Sequence, residues 1–216
     1  MAVARAAGSG HTSKSGSTRD RRILRRMSAV ETKRLLLRPW SPDDIDELVA
    51  VFAETEVWRY PFGRGLSRLE SEQFLDRQLE HWTANGFGLW ATELKANGRL
   101  IGYIGLSIPS WLPQVLPAVE VGWRLHPDCW GRGLATEGGR AGLRHGFETL
   151  ELDRIISIST PDNVASGRVM EKLGMHDCVT TTDATRGIRL SVREITRFKW
   201  REVTGDTRPE GIPERK

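Results

Sequence analysis

The sequence predicts an α/β (α+β) fold: a mixed sheet with helices on both of its faces. Three observations carry that prediction. Apolar spacing switches along the chain between a helical period and strand alternation. Two strand-like runs meet at Asn97-Gly98, the strongest short-range hairpin signal. A third strand-like run, Val119–Leu125, passes through a glycine loop into a helix-like run and then into another strand.

The elements follow in order. A first strand is expected over Glu31–Arg38, where Leu35 and Leu37 alternate with Arg34, Leu36 and Arg38. Ser41 reads as an N-cap, with Pro42 at the first helical position and Asp44 three residues after the cap. Ile45, Leu48, Val49 and Phe52 then share one helical face. A second helix opens at Ser67, where Glu70 completes a capping box, and stops at Asn85-Gly86. Phe87–Leu94 and Leu100–Ile108 are the arms of the hairpin, and a proline-rich loop, Pro109–Pro117, follows them. Strand Ala118–Leu125 leads through the glycines into helix Ala135–Thr149. Arg154–Thr160 reads as a buried strand because Ile155, Ile156 and Ile158 are β-branched. Pro161-Asp162-Asn163 breaks it and caps a helix that ends at Gly174. Strands His176–Thr182 and Ile188–Trp200 close the domain, giving the order βααβββαβαββ.

Composition sets the outer bounds. At 216 residues, 38% apolar and 28% charged, the chain fits one globular domain with tails. Residues 1–28 are expected to be a disordered basic extension, 29–200 the folded domain and 201–216 a tail. Residues 1–26 hold seven basic side chains and one acid, +6 in a chain of net +4, so the remainder carries −2. A domain of that charge has little electrostatic reason to bind nucleic acid. An inert extension, a charge-driven tether and a targeting signal all stay open for the N-terminal segment. No apolar run reaches the roughly 20 residues that span a membrane. Cys129 and Cys178 make no disulfide framework, which points to a reducing, cytoplasmic setting. His81, His126, His145 and His176 lack metal-ligand spacing, so no metal is expected.

Trp130-Gly131-Arg132-Gly133-Leu134-Ala135-Thr136-Glu137 is the most informative stretch. Two glycines just before a helix let the backbone close on a phosphate, where free N–H groups and the helix dipole meet its charge. Three such cradles compete. A Walker loop needs Gly-Lys-Ser/Thr, which is absent, and a dinucleotide fingerprint needs a third glycine where Thr136 stands. Asp153, twenty residues after Gly133, is a tempting ribose partner for that second reading but precedes the next strand. The third is an acyl-CoA loop. The stretch resembles the Q/R-x-x-G-x-G/A loop of the GNAT acetyltransferases, with Trp130 in the usual Gln/Arg place. The wider chain resembles the ribosomal-protein N-terminal (Rim-type) subgroup of that superfamily. The likeness rests on Arg34-Leu35-Leu36-Leu37-Arg38, Glu120-Val121-Gly122-Trp123, Asn163-Val164-Ala165-Ser166 and Glu171-Lys172-Leu173-Gly174-Met175, in order from about residue 31 to 200.

That resemblance implies the GNAT fold, with a mostly antiparallel sheet, and acetyl-CoA as co-substrate. It implies a cofactor site built from the backbone of Trp123 and Leu125, from Gly131, Arg132, Gly133, Leu134, Ala135 and Thr136, and from Asn163. Acetyl transfer to an amine needs a base for the amine, stabilisation of the carbonyl oxygen and a proton for the thiolate. Glu120, between Val119 and Val121, is the candidate base, since burial would raise its pKa into a useful range. The alternative is a structural carboxylate in a hydrogen-bond network or in solvent. Ser166 is the candidate acid that the resemblance offers, because Met170 stands where many relatives have a tyrosine. A first-turn serine bonding to backbone is the bland reading. Cys129 has no visible His partner to make it a nucleophile. Trp58 and Trp111 sit in the two connections that border the acceptor cleft in this fold. Those connections are aromatic, with Arg59 and Arg64 as their only charges, which argues against a polycationic acceptor.

The expected function is therefore N-acetyl transfer from acetyl-CoA to a primary amine, small or peptide, by direct attack in a ternary complex. The rival is a non-catalytic acyl-CoA-binding or sensing module on the same fold. A homodimer is compatible with the chain, and no residue pattern argues for one.

Overall fold

The computed structural model describes residues 29–205. The expectations for residues 1–28, and for the end of the C-terminal tail, lie outside them. Where a single strand over Glu31–Arg38 was expected, the chain makes two: β1 (Val30–Glu31) and β2 (Leu35–Arg38). The Thr32 hydroxyl accepts from the Leu35 N–H at 2.9 Å, and the Thr32 N–H donates to the Leu35 carbonyl. This local side-chain bond turns the backbone out of the extended path, so β1 folds back antiparallel on β2, Val30 opposite Leu37.

Both predicted capping boxes are made. Ser41 and Asp44 cap a 3₁₀ turn, Pro42–Asp44, that runs into α1 (Ile45–Phe52). Leu48, Val51 and Phe52 are the buried residues of α1, with Val51 taking a place expected for Val49. Ser67 and Glu70 cap α2 (Arg68–Asn85), which Gly86 ends in the left-handed conformation. Between α1 and α2 lies a short helical turn, Arg59–Phe62, with no signal in the sequence.

The hairpin forms as β3 (Leu89–Leu94) and β4 (Leu100–Ser107), and β5 (Glu120–Leu125) adds antiparallel to β4. Helix α3 (Leu134–Arg144) continues into a π-helical turn, His145–Thr149. Then come β6 (Arg154–Ser159), α4 (Val164–Lys172), β7 (His176–Asp183) and β8 (Ile188–Thr196). The last strand stops earlier than predicted. The Thr196 side chain accepts from the Lys199 N–H and starts α5 (Arg197–Thr204), and Trp200, 2% exposed, buries against Phe147. The boundary drawn after Trp200 thus falls inside a helix.

The eight strands form one sheet in the order β1-β2-β3-β4-β5-β6-β8-β7. Helices α1 and α2 cover one face around Leu48, Phe52, Phe74, Leu89 and Ala91. Helices α3, α4 and α5 cover the other around Val121, Leu143, Ile155, Met170 and Ile195, with Trp90 facing that side between Leu89 and Ala91. Every neighbouring pair is antiparallel except β5 and β6. Those two meet only at Glu120 and Ile156 and then part, which opens the sheet at its centre.

Candidate active site

The parting of β5 and β6 leaves backbone groups unpaired in mid-sheet. The Val119 carbonyl accepts from the Ile156 N–H on β6, while the His126 N–H donates to the Ile101 carbonyl beside β4. Alternate residues of a strand turn their backbone groups to opposite neighbours, so Val121, Trp123 and Leu125 face the gap. The Leu125 carbonyl is already taken by the Trp130 indole N–H at 2.7 Å. What stays open is the Trp123 N–H and carbonyl and the Leu125 N–H, an edge able to pair with an extended amide chain as an added strand would. Trp130 also finds its role here: it ties the glycine loop to β5.

That loop ends at the N-terminus of α3. Gly131 and Gly133 have φ of +68° and +77°, a region that side chains other than glycine rarely enter. Space is not the constraint. Nothing lies within 4 Å of a Cβ built on Gly131, and at Gly133 only Arg34 Nη2 does, at 3.7 Å. The left-handed turn is what the glycines supply, and it presents the first N–H groups of α3 to the cleft. Arg34 and Glu137 brace the turn. Glu137 accepts from the Thr32 hydroxyl (2.6 Å), the Arg34 N–H (2.8 Å) and Arg34 Nε (2.7 Å), while Arg34 Nη1 donates to the Arg132 carbonyl (2.8 Å). Burial pushes the Glu137 carboxyl up, but these donors outweigh it and hold it below its ordinary value.

A single cleft of about 830 Å³ runs from this glycine turn to the loops that hold Trp58 and Trp111. Glu120, Ser166, Asn163, Trp123, Leu125, Gly131, Gly133, Leu134, Ala135, Thr136, Trp58 and Trp111 all line it. Arg132 does not; its carbonyl accepts from Arg34 in the brace, and its charge is felt by Cys129 of the cleft wall. Arg64, read as a cleft charge, instead turns away to pair with Glu70 at 2.6 Å.

Glu120 stands where β5 and β6 part. Part of its surface faces the cleft, yet protein closes round the carboxyl so far that desolvation pushes its pKa up to about 7. The Ile158 N–H and the charge of Arg124 pull the other way. Asn163 caps α4, its side-chain oxygen accepting from the Ser166 N–H at 3.1 Å. Ser166 thus sits in the first turn of α4, at the cleft wall opposite β5. Cys129 lines the cleft too, 2% exposed, and burial raises its thiol pKa, which leaves it protonated and a poor nucleophile. Among the described residues no group of three or more His, Cys, Asp or Glu gathers in a metal-holding arrangement, and no helix is long and apolar enough to cross a membrane.

Sequence reading missed Arg34, Glu137, Tyr103 and Arg124. Arg34 and Glu137 had a signal, since both fall inside the motifs quoted; their pairing across about a hundred residues did not. Arg124 looks like an ordinary strand residue until the fold brings the Val57–Phe62 loop over it.

Residues 34–176 match the acetyltransferase (GNAT) domain family. YoaA of Bacillus subtilis (strain 168), an uncharacterized N-acetyltransferase, is 32% identical over 149 residues, spanning 67% of this chain and 81% of that protein. The FsC-acetyl coenzyme A-N(2)-transacetylase of Aspergillus fumigatus is 27% identical over 170 residues, 70% of this chain and 66% of that one. Among solved structures, an acetyltransferase from Agrobacterium tumefaciens str. C58 aligns with a TM-score of 0.65 at 26% identity, covering 77% of this chain and 93% of that one. The ribosomal-protein-S5-alanine acetyltransferase of Vibrio fischeri aligns at 0.63 with 17% identity, covering 80% and 98%. At that identity the likeness is one of fold alone. With the domain matched from β2 to the start of β7, the chain belongs to the GNAT acetyltransferase family and is an acetyl-transferring enzyme.

Proposed function

We propose that the enzyme moves the acetyl group of acetyl-CoA to a primary amine by direct attack within a ternary complex, with Glu120 as the base. The observation that carries this reading is the position of Glu120. It is a desolvated carboxyl at the point where β5 and β6 part, in one cleft with the cradle and the free edge of β5.

Acetyl-CoA supplies an activated acetyl group as its thioester. The chain's own residues do the rest. The free backbone groups of Trp123 and Leu125 pair with the amides of the pantetheine arm. The turn of Gly131 and Gly133 and the first N–H groups of α3, with Leu134, Ala135 and Thr136 around them, hold the pyrophosphate. Asn163, whose oxygen caps α4, offers its amide N–H groups to the same arm. Glu120 takes the proton from the incoming ammonium or amine, directly or through a water, and a pKa of about 7 suits that task near neutral pH. Ser166 donates its hydroxyl to the thioester sulfur and eases departure of the thiolate. Trp58 and Trp111 border the acceptor end.

The acceptor is a peptide or amino-acid amine in this reading, in keeping with the Rim-type resemblance and the aromatic loops. A cytoplasmic location suits a domain whose two cysteines are free. The test is thiol release from acetyl-CoA against one panel at one ionic strength: peptides with N-terminal Ser or Ala, free amino acids, spermidine and an aminoglycoside. A higher kcat/KM for either polycation than for every peptide and amino acid would overturn the acceptor class. Tight acetyl-CoA binding with no turnover of any amine would favour the sensing module instead.

A further inference from the structure

Strand β5 presents Glu120, Gly122 and Arg124 to one side of the sheet, since alternate residues share a face. A Cβ built on Gly122 lies 3.9 Å from Glu120 Oε1, in agreement with that placement. Arg124 is therefore next but one to the candidate base along the same face, and it reaches across the cleft to the acceptor loop. Its Nη1 donates to the carbonyls of Val57 and Tyr60, the latter at 2.9 Å. Its Nε donates to the Tyr103 hydroxyl at 3.2 Å, from the residue directly opposite on β4. Its guanidinium lies 3.9 Å over the ring of Trp58. Trp58 in turn packs edge-on to Phe52 of α1, at 5.0 Å, and stacks on Phe62 at 5.5 Å.

One side chain thus ties the strand that carries Glu120 to the segment that forms the acceptor wall. Val57 and Trp58 are buried beneath it, while Arg59, Pro61 and Phe62 are exposed. The segment has little regular structure of its own, for Tyr60 is extended inside its one helical turn. Local turn hydrogen bonds, such as Phe62 N–H to the Trp58 carbonyl, shape it, and the aromatic contacts and the guanidinium hold it against the sheet. The fork matters as much as the charge: a lysine ammonium cannot serve two carbonyls and a phenol while lying flat on an indole.

We infer that Arg124 is a positioning residue that fixes the Val57–Phe62 wall against β5 and thereby sets the affinity for the acceptor amine. The inference deepens the transferase reading and rests on it for the kinetic and pH arms of the test, while the amide-exchange arm stands apart from it. The charge of Arg124 lowers the pKa of the Glu120 carboxyl against the pull of burial. The strands flanking Glu120 carry two other titratable side chains. Tyr103 is bound to Arg124, and Arg154, at the far end of β6, pairs with Glu194 at 3.0 Å. From the loops around the cleft, Asp183 pairs with Arg186 and Glu56 with Arg59, while Asp162 is exposed.

The experiment compares Arg124→Lys and Arg124→Met with the wild type, as full chains with acetyl-CoA present. Backbone amide exchange is read over residues 57–62, and kinetics with the panel amine that the wild type acetylates fastest. Both variants should exchange these amides faster by about tenfold or more, the scale of losing a charged hydrogen bond, with β4 unaffected. Both should raise the acceptor KM by a similar factor and leave the KM for acetyl-CoA within about twofold. The pH profiles then separate the two variants. Lysine keeps a positive charge near Glu120 and the acidic limb stays in place, whereas methionine removes it and the limb moves to higher pH. Unchanged exchange and acceptor KM in the lysine variant, which keeps charge and bulk and is the safer folder, would overturn the inference. Faster exchange and a raised KM with an unmoved limb in the methionine variant would leave the positioning role standing and count against Glu120 as the base.

Discussion

Replacing Glu120 with glutamine should make the protein more stable and less active at once. The substitution keeps the shape of the side chain and an oxygen for the Ile158 N–H, and removes only the charge. The carboxyl's rise from 4.5 to about 7 comes first from burial. A carboxyl with a raised native pKa binds its proton more tightly in the folded than in the unfolded state. Its favourable contribution is complete below the unfolded value near 4.5, falls as pH climbs, and is gone once pH passes about 7. At pH 8 the wild type therefore holds a desolvated carboxylate at a cost of up to about 3 kcal/mol, from roughly 1.4 kcal/mol per pKa unit. Since Glu120 keeps some surface in the cleft, solvent screening cuts this to about 1–2 kcal/mol. Glutamine carries no such cost. Melting temperatures taken without acetyl-CoA should coincide near pH 4.5, and at pH 8 the variant should melt higher by about 2–8 °C, on the usual scale of 2–4 °C per kcal/mol. In the same range kcat should drop by about 10²–10⁴-fold and lose its acidic limb. A melting difference that is flat with pH would refute the desolvation argument. A wild-type pH profile in the variant would show that another group or water takes the proton.

Three further outcomes are expected. Gly133→Val must force a β-branched residue to φ near +77°, so acetyl-CoA should bind about tenfold more weakly, or 1.4 kcal/mol, by calorimetry, in a protein that still folds. Unchanged affinity would sink the cradle. Ser166→Ala should lower kcat by about three- to tenfold, the worth of one hydrogen bond to the thioester, with acetyl-CoA affinity nearly intact; an unaltered kcat would reduce Ser166 to a first-turn polar residue. Gly102→Ala should cost about 3 kcal/mol or more in urea unfolding, because its φ is +129° and the new Cβ would lie 2.1 Å from the Arg124 carbonyl. A loss below about 1 kcal/mol would mean that β4 and β5 can part more easily than their pairing implies.

What the sequence made legible was whatever is written locally. Capping boxes at Ser41 and Ser67, the hairpin at Asn97-Gly98 and the break before Asn163 each depend on residues a few places apart, and each is formed. The same holds for the glycine turn, whose conformation demands the residues that spell it. Errors arose where a short-range bond competed with a longer pattern. Thr32 turned a predicted strand into two, and Thr196 ended β8 by starting a helix around Trp200. The helix expected over Ala135–Thr149 forms as α3 and the π-helical turn after it, but the reason for its glycines is not written locally. Each lowers helix propensity by about 1 kcal/mol against alanine, and nothing local repays that. Only the fold does, for a Cβ on Gly138 would fall 2.3 Å from Ile104 Cδ1 and one on Gly146 2.5 Å from Ile155 Cδ1.

The candidate site divides along the same line. The residues proposed for the cofactor fall in contiguous runs, since a backbone edge and a helix N-terminus are made by consecutive residues, and the structure brings all of them but Arg132 to one cleft. The end of the cleft proposed for the acceptor is lined from the 57–62 loop, Trp111, β4 and the β7–β8 hairpin, which no spacing rule links. Arg124 shows why this matters for function. It sits amid the readable cofactor strand, yet its partners, Tyr103, Val57 and Tyr60, lie 21 to 67 residues away. In the proposed reaction its neighbours in sequence would bind the cofactor and its neighbours in space would shape the acceptor wall, so that it would couple the two halves. Acceptor specificity in this enzyme should accordingly change through Arg124 and the loop it holds, with the cradle left untouched.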